Sequence, residues 1–161
     1  MDNPQAQRTG ANFYDGRRFD SKCSVGYWIK QAYQALQRSL DARMHQLDLT
    51  GMQWGPLWLI AHRGADTVAA CAREAGIDAG AMTRMLDRLE AKGLLTRCRG
   101  TEDRRVVHLA LTERGREVVE QIPPILAEVL NWHLRDFSAD EVLQLLDLLQ
   151  RFTHNEHSGD A

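Results

Sequence analysis

Arg84 and Arg88 stand one helical turn apart, and their type and spacing suit a particular chemistry. A guanidinium is a permanently charged, planar fork of donors. Two of them on one helix face can pair in bidentate fashion with guanine O6 and N7 in a major groove, each good pair adding about 1–3 kcal/mol of discrimination. Thr83 and Ala79 lie beside them, suited to a phosphate and to a thymine methyl. Farther on, Arg97, Arg99, Arg104 and Arg105 crowd around Gly100-Thr101-Glu102-Asp103. Arg97 and Arg99 suit phosphate contacts. Arg104 or Arg105 suits the negative potential of a narrow minor groove, with Asp103 able to pin Arg105 in an ion pair. The competing reading is a solvated face, with Asp87 and Glu90 as partners of the helix arginines and an ordinary surface hairpin.

The elements that must position these groups run from Asp78 to Leu111. Met82, Met85, Leu86 and Leu89 recur at helical spacing as one apolar stripe, which puts Gly80, Arg84, Asp87, Arg88 and Ala91 on the opposite side. Gly93 is placed to end that helix. Leu94–Arg99 and Val106–Leu111 have strand composition, with the residues between them as a turn. A helix with an arginine face followed by a hairpin with an arginine tip offers one element to each DNA groove.

Whole-chain numbers neither help nor hinder. The chain has 161 residues, 43% hydrophobic and 26% charged, the composition of an ordinary globular protein. Its net charge is −2, but between Arg73 and Arg116 ten basic residues face seven acidic ones, a basic patch on an acidic body. Cys23, Cys71 and Cys98 are odd in number and lack paired spacing, and no apolar leader precedes them; a reduced, cytoplasmic protein is expected. Apolar runs fall short of the roughly 20 residues of a membrane span.

Residues 1–20 read as a flexible arm. Ser21 to Leu47 reads as one long helix whose apolar face, from Val25 and Trp28 to Met44, exceeds what a small domain can bury alone; part of it is expected to be a dimer surface. Thr50 can cap a second helix from about Met52 to His62, in which Pro56 should distort the early turns. Thr67 caps a short helix that Gly76 turns into the Asp78 helix, a helix-turn-helix by spacing. With the hairpin this makes a winged helix. Thr112 caps a further helix that Pro123-Pro124 should bend or break. Ser138-Ala139-Asp140-Glu141 is a capping box opening the last helix.

The stretches LTGMQW (Leu49–Trp54), TVAACAREAGI (Thr67–Ile77), MTRMLDRLEAKGLLTR (Met82–Arg97) and EDRRVVHLALTERG (Glu102–Gly115) together resemble the MarR family of bacterial transcription regulators, over about Ser21 to Phe152. The resemblance implies a mainly α fold with a small β-hairpin wing, a winged helix-turn-helix flanked by N- and C-terminal dimerisation helices. It divides the chain into an arm (1–20), a dimerisation helix (21–50), a DNA-binding lobe (51–111), C-terminal dimerisation helices (112–155) and a tail (156–161). It implies a homodimer on a pseudo-palindromic double-stranded operator, a repressor released by a small aromatic or phenolic effector. The family's effector pocket maps onto Gln37, Leu40, Trp54, Trp58, Leu126 and Leu130. Two departures stand out. Gly80 and Ala81 occupy positions where the family often has Ser or Thr, and Cys71 replaces a usual Leu.

Trp28, Trp54 and Trp58 with His62 form an aromatic group more in keeping with core packing than with a site. Cys23, four residues before Tyr27, resembles the reactive cysteine of peroxide-sensing relatives but stands about three positions out of register, so a plain thiol is expected. A thiol-based regulator of the same fold is the first alternative, and a winged-helix module that binds protein the second. His154 and His157 lack companions for a metal site. No metal, cofactor, membrane role or catalytic residue is expected, since no phosphate loop, nucleophile elbow or metal-spaced set occurs.

Overall fold

A computed structural model of the chain describes residues 13–99 and 107–155. By their internal contacts these residues fall into two units, one ending at Ala35 and the other starting at Leu36. In the first, a 3-10 turn over Ser21–Cys23 is capped by Asp20, whose carboxylate accepts from the Lys22 amide at 2.9 Å. Helix α1, Val25–Met44, opens with the Val25 amide donating to the Tyr14 hydroxyl at 2.8 Å. Tyr14 also meets Phe13 and Phe19 edge-on at 5.0 and 5.6 Å. α1 ends in a second 3-10 turn, His45–Leu47, which Asp48 closes in the left-handed region (φ 55°).

The second unit takes in α1 from Leu36 onward and the His45–Leu47 turn, and contains α2 (Trp54–His62), α3 (Val68–Ala75), α4 (Ala79–Ala91), β1 (Leu95–Arg99), β2 (Val107–Leu111), α5 (Glu113–His133) and α6 (Ala139–His154). Its core collects Leu40 and Met44 of α1, Leu57 of α2, Cys71 of α3, the Met82, Leu86 and Leu89 stripe of α4, Leu94, Leu95, Leu109, and Val118, Ile122, Ile125 and Val129 of α5. α6 contributes nothing to it: Leu143, Leu146, Leu149 and Phe152 are all exposed. No helix among the described residues is long and apolar enough to cross a membrane.

Side-chain caps appear where expected at Thr67, Thr112 and Ser138, and Asp78 adds one at the start of α4 that the sequence reading did not name. Thr67, Asp78, Thr112 and Ser138 each accept a backbone N–H of the first turn, and Glu141 completes the box by accepting from the Ser138 amide at 2.8 Å. That bond holds the Glu141 carboxyl below its ordinary value, so the cap is complete at neutral pH and weakens as acid protonates it. Thr50 is not a cap. Its amide donates to Gln53 Oε1 at 3.1 Å, and Gln53 becomes the N-cap residue. α2 therefore starts at Trp54, which puts Pro56 in the first turn, where its missing donor has no helical partner to lose. α5 likewise runs unbroken through Pro123-Pro124. Both prolines are exposed, so solvent can serve the carbonyls that lose their helix donors.

The two strands pair antiparallel with Leu95 opposite Leu111 and Arg97 opposite Leu109. The far edge of β2 is held by the loop before α3. The Leu109 amide donates to the Asp66 carbonyl at 2.6 Å, and His108 Nδ1 lies 2.8 Å from the Asp66 carboxylate.

Candidate nucleic-acid interface

α3 and α4 are joined by only Gly76-Ile77-Asp78, so α4 starts at a sharp turn with its first residues projecting from the body. Gly76 takes φ 65° there and Gly93 takes φ 69° at the other end, conformations that glycine adopts without a Cβ penalty. Burial of Met82, Leu86 and Leu89 turns the opposite side outward, and Ala79, Thr83, Arg84, Asp87 and Arg88 are exposed. Thr83 Oγ1 donates back to the Ala79 carbonyl at 2.7 Å, leaving its lone pairs outward.

The carboxylates of α4 are engaged away from its arginines. Asp87 and Glu90 do not pair with Arg84 or Arg88. Both are taken by Arg97 of β1, at 2.7 Å and 2.5 Å. Partial burial works against the Arg97 charge, but the two carboxylates outweigh it and raise its pKa above the ordinary value. Arg97 thus ties the first wing strand to the exposed flank of α4, a bridging place rather than the open one expected of a phosphate contact. Arg84 and Arg88 have no hydrogen bond or ion pair to any described residue. Arg99 pairs with Val107 in the hairpin register. Asp103, Arg104 and Arg105 lie outside the described residues.

Lys92 and Gln53 are functional candidates that sequence reasoning missed. Lys92, the residue after α4, sends its ammonium to the carbonyl of Asp48, to Gln53 Oε1 at 3.2 Å and to the Asp48 carboxylate at 3.5 Å. Gln53 is the one buried polar side chain among the described residues. The loop between α1 and α2 is in this way fastened to the end of α4. A lysine just ahead of a helix-ending glycine was the only signal available.

Of the residues mapped to an effector pocket, Leu40 is in the core, Trp54, Trp58 and Leu126 pack partly against it, and Leu130 is 45% exposed. Gln37 Oε1 is buried with no partner among the described residues. Trp58 stacks on His62 with centroids 3.8 Å apart, and Trp28, in the other unit, is 64% exposed. An open groove of about 440 Å³ lies between the end of α2, β2 and the start of α5, lined by His62, Leu111, Arg116 and Val119 among others; it includes none of the six.

The cysteines differ in reach. Cys71 is buried and donates to the Ala65 carbonyl at 3.0 Å; burial pushes its thiol up to about 11. Cys23 is exposed and donates to the Asp20 carboxylate at 3.4 Å, and that hydrogen bond raises its pKa too. Cys98 is exposed on β1. Among the described residues no three His, Cys, Asp or Glu side chains gather as a metal site.

A family model described as the MarR family matches residues 49–107, the interval from the α1–α2 loop to the first residue of β2. Solved structures extend the likeness over most of the chain. The reduced form of MarR from E. coli is 31% identical, with a TM-score of 0.72 over 80% of this chain and 96% of that one. A point mutant of the same protein complexed with operator DNA is 30% identical, with a TM-score of 0.76 over 83% and 99%. BpsR from Bordetella bronchiseptica, whose DNA binding is described as regulated by 6-hydroxynicotinic acid, is 24% identical and shares the fold with a TM-score of 0.76 over 84% and 96%. With the helix-turn-helix, the paired strands and this identity over nearly a whole relative, the chain belongs to the MarR family of winged-helix DNA-binding transcription regulators.

Proposed function

We propose that this protein is a homodimeric repressor that holds a pseudo-palindromic operator and releases it on binding a small aromatic or phenolic effector. The observation that carries the DNA half is Arg97. By occupying Asp87 and Glu90 it leaves Arg84 and Arg88 without an ion pair among the described residues, on the outward face of α4. Those two arginines would read base edges in the major groove, with Thr83 on phosphate and Ala79 against a thymine methyl. Arg99, Arg104 and Arg105 would serve the backbone and the minor groove, with Asp103 steadying Arg105. Arg97 itself would act as a positioning residue, fixing the wing to the helix. The operator-bound relative supports this reading.

The expected result is a salt-dependent shift of the duplex flanking the protein's own gene. Arg84→Ala or Arg88→Ala should each cost about 1–3 kcal/mol at the specific site while low-salt, nonspecific binding persists. The measurement is fluorescence anisotropy across a salt series. No binding to any duplex at low salt counts against the proposal, and a salt slope near zero points to a protein partner instead.

The effector half rests on the aromatic side chains and on Gln37, whose buried carbonyl oxygen has no donor among the described residues and could accept from a phenol. Small-molecule regulation of BpsR, a protein of the same fold, supports it. Release would follow from a dimer shape whose two α4 helices no longer match half-sites about 34–36 Å apart. Oxidation of Cys23 is the weaker route, because the thiolate is the reactive species and Asp20 disfavours it. Iodoacetamide at pH 8 should label Cys23 several-fold more slowly than free cysteine, read by peptide mass spectrometry. Labelling faster than free cysteine would restore the thiol-based alternative.

A further inference from the structure

Lys92 follows the last residue of α4, where a lysine ordinarily hydrogen-bonds the last carbonyls of its own helix or stays in water. Here it does neither. Its ammonium donates to the Asp48 carbonyl, 44 residues earlier, and to Gln53 Oε1 at 3.2 Å, and the Asp48 carboxylate lies 3.5 Å away. An ammonium has three protons, and these three acceptors match them, so no donor is left over for a phosphate. The side chain is 25% exposed. Asp48, at φ 55°, is the one non-glycine residue with positive φ among the described residues, and its carbonyl and carboxylate both serve this one ammonium. Gln53 is buried, and its carboxamide oxygen also accepts the Thr50 amide at 3.1 Å. The loop that receives Lys92 is itself seated on α1. The Gly51 amide donates to the Asp41 carboxylate at 2.5 Å, and a Cβ on Gly51 would stand only 3.0–3.1 Å from Asp41 and from Leu40 Cβ. Contacts thus run without a break from the last turns of α1, through the loop, to the end of α4.

We propose that Lys92 is a positioning residue for operator recognition: by tying the end of α4 to the loop on α1, it fixes the separation of the two recognition helices and with it the half-site spacing that the protein accepts. The inference rests on the dimeric, DNA-binding reading above. α4 has 13 residues and is about 20 Å long, so the tie and the base-reading first turn are opposite ends of one rod. Loosening the tied end lets the reading end swing. In a dimer the two reading ends must meet half-sites about 34–36 Å apart, and one base pair more or less moves a half-site by about 3.4 Å along the duplex. Lys92 touches no DNA in this scheme; it acts by limiting how far each α4 can tilt against the helix that carries it.

Spacing tolerance tests this. The wild type first selects a duplex from a randomised pool, and that duplex is remade with its centre one base pair longer or shorter. By anisotropy, the wild type should bind either altered duplex about 30-fold more weakly. Lys92→Met keeps the apolar stem and removes the ammonium. It should bind the selected duplex about 10-fold more weakly, yet differ by less than about 3-fold across the three spacings. Gln53→Met, at the other side of the tie, should give the same flattened profile, and the double variant should lose no more than either single. Asp48→Asn removes only an exposed charge and should narrow the wild-type preference about 3-fold; it decides alone if the other variants fail to fold. Folded variants that keep the wild-type spacing preference overturn the proposal. So does a Lys92→Met loss equal at all three spacings with a salt slope smaller by about one, which marks a phosphate contact. A wild type that binds no duplex at low salt overturns the DNA-binding reading, and one that binds without any spacing preference overturns the dimer reading. Both results differ from a loss of preference confined to the variants.

Discussion

Gly115→Ala is expected to lower the thermal midpoint by about 6–12 °C, from a cost of about 3 kcal/mol or more. A Cβ built on Gly115 stands 1.9 Å from the carbonyl oxygen of Leu94 and 2.9 Å from its carbon, far inside contact distance. Neither side can retreat easily. Leu94 is 1% exposed, and its carbonyl accepts the Thr112 amide at 3.1 Å. Thr112 in turn donates its hydroxyl to the Gly93 carbonyl at 2.7 Å and accepts the Gly115 amide at 2.9 Å. The start of α5 is thus fastened to the chain leaving α4, and added volume must pull that knot apart. Because the knot sets α4 and the wing relative to α5, DNA affinity should fall together with stability. Gly55→Ala is the control, since its Cβ meets nothing within 4 Å and alanine suits a helix. Urea titration of the two variants gives the comparison. A loss under about 1 kcal/mol at Gly115 would mean that the turn yields at low cost.

The second large effect is expected on α6. Leu146→Glu with Leu149→Glu should turn the proposed dimer into monomers and reduce operator affinity by about 10²–10⁴-fold, since the second half-site contact is then no longer tethered to the first. A 16-residue helix is only marginally stable in water by itself. α6 has a well-built start in its capping box, yet its leucines and Phe152 are left exposed, as are Trp132 (65%) and Leu130 of α5. An apolar face of this extent on a sharply capped helix is what the proposed second copy would cover. Light scattering after size exclusion reads the mass and anisotropy reads the affinity. An unchanged mass would place the dimer contact elsewhere.

Much of the frame was legible from local rules. Thr67, Thr112 and Ser138 are caps because a hydroxyl at that position serves orphan amides a few atoms away, a matter of adjacent residues, and Asp78 does the same for α4 though its role went unread. The α4 stripe of Met82, Leu86 and Leu89 is legible for the same reason, since a period of 3.6 residues decides which side can be buried. Thr50 and Pro56 were misread because the carboxamide of Gln53, itself buried and held by Lys92 from 39 residues away, moves the start of α2 by two residues. Pro123-Pro124 does not break α5, because the consequence of missing donors depends on which side of the helix faces solvent.

The order of helices and wing, the outward face of α4 and the membership that its motifs imply are legible in the residues alone, because each depends on periodicity and on neighbours within a few residues. Which charges on that face remain available depends on contacts distant in the chain. Asp87 could as easily have neutralised Arg84, three residues away on the same helix. The hairpin brings Arg97 within 2.7 Å of both carboxylates instead, and a charge already paired at that distance has little left to offer a neighbour.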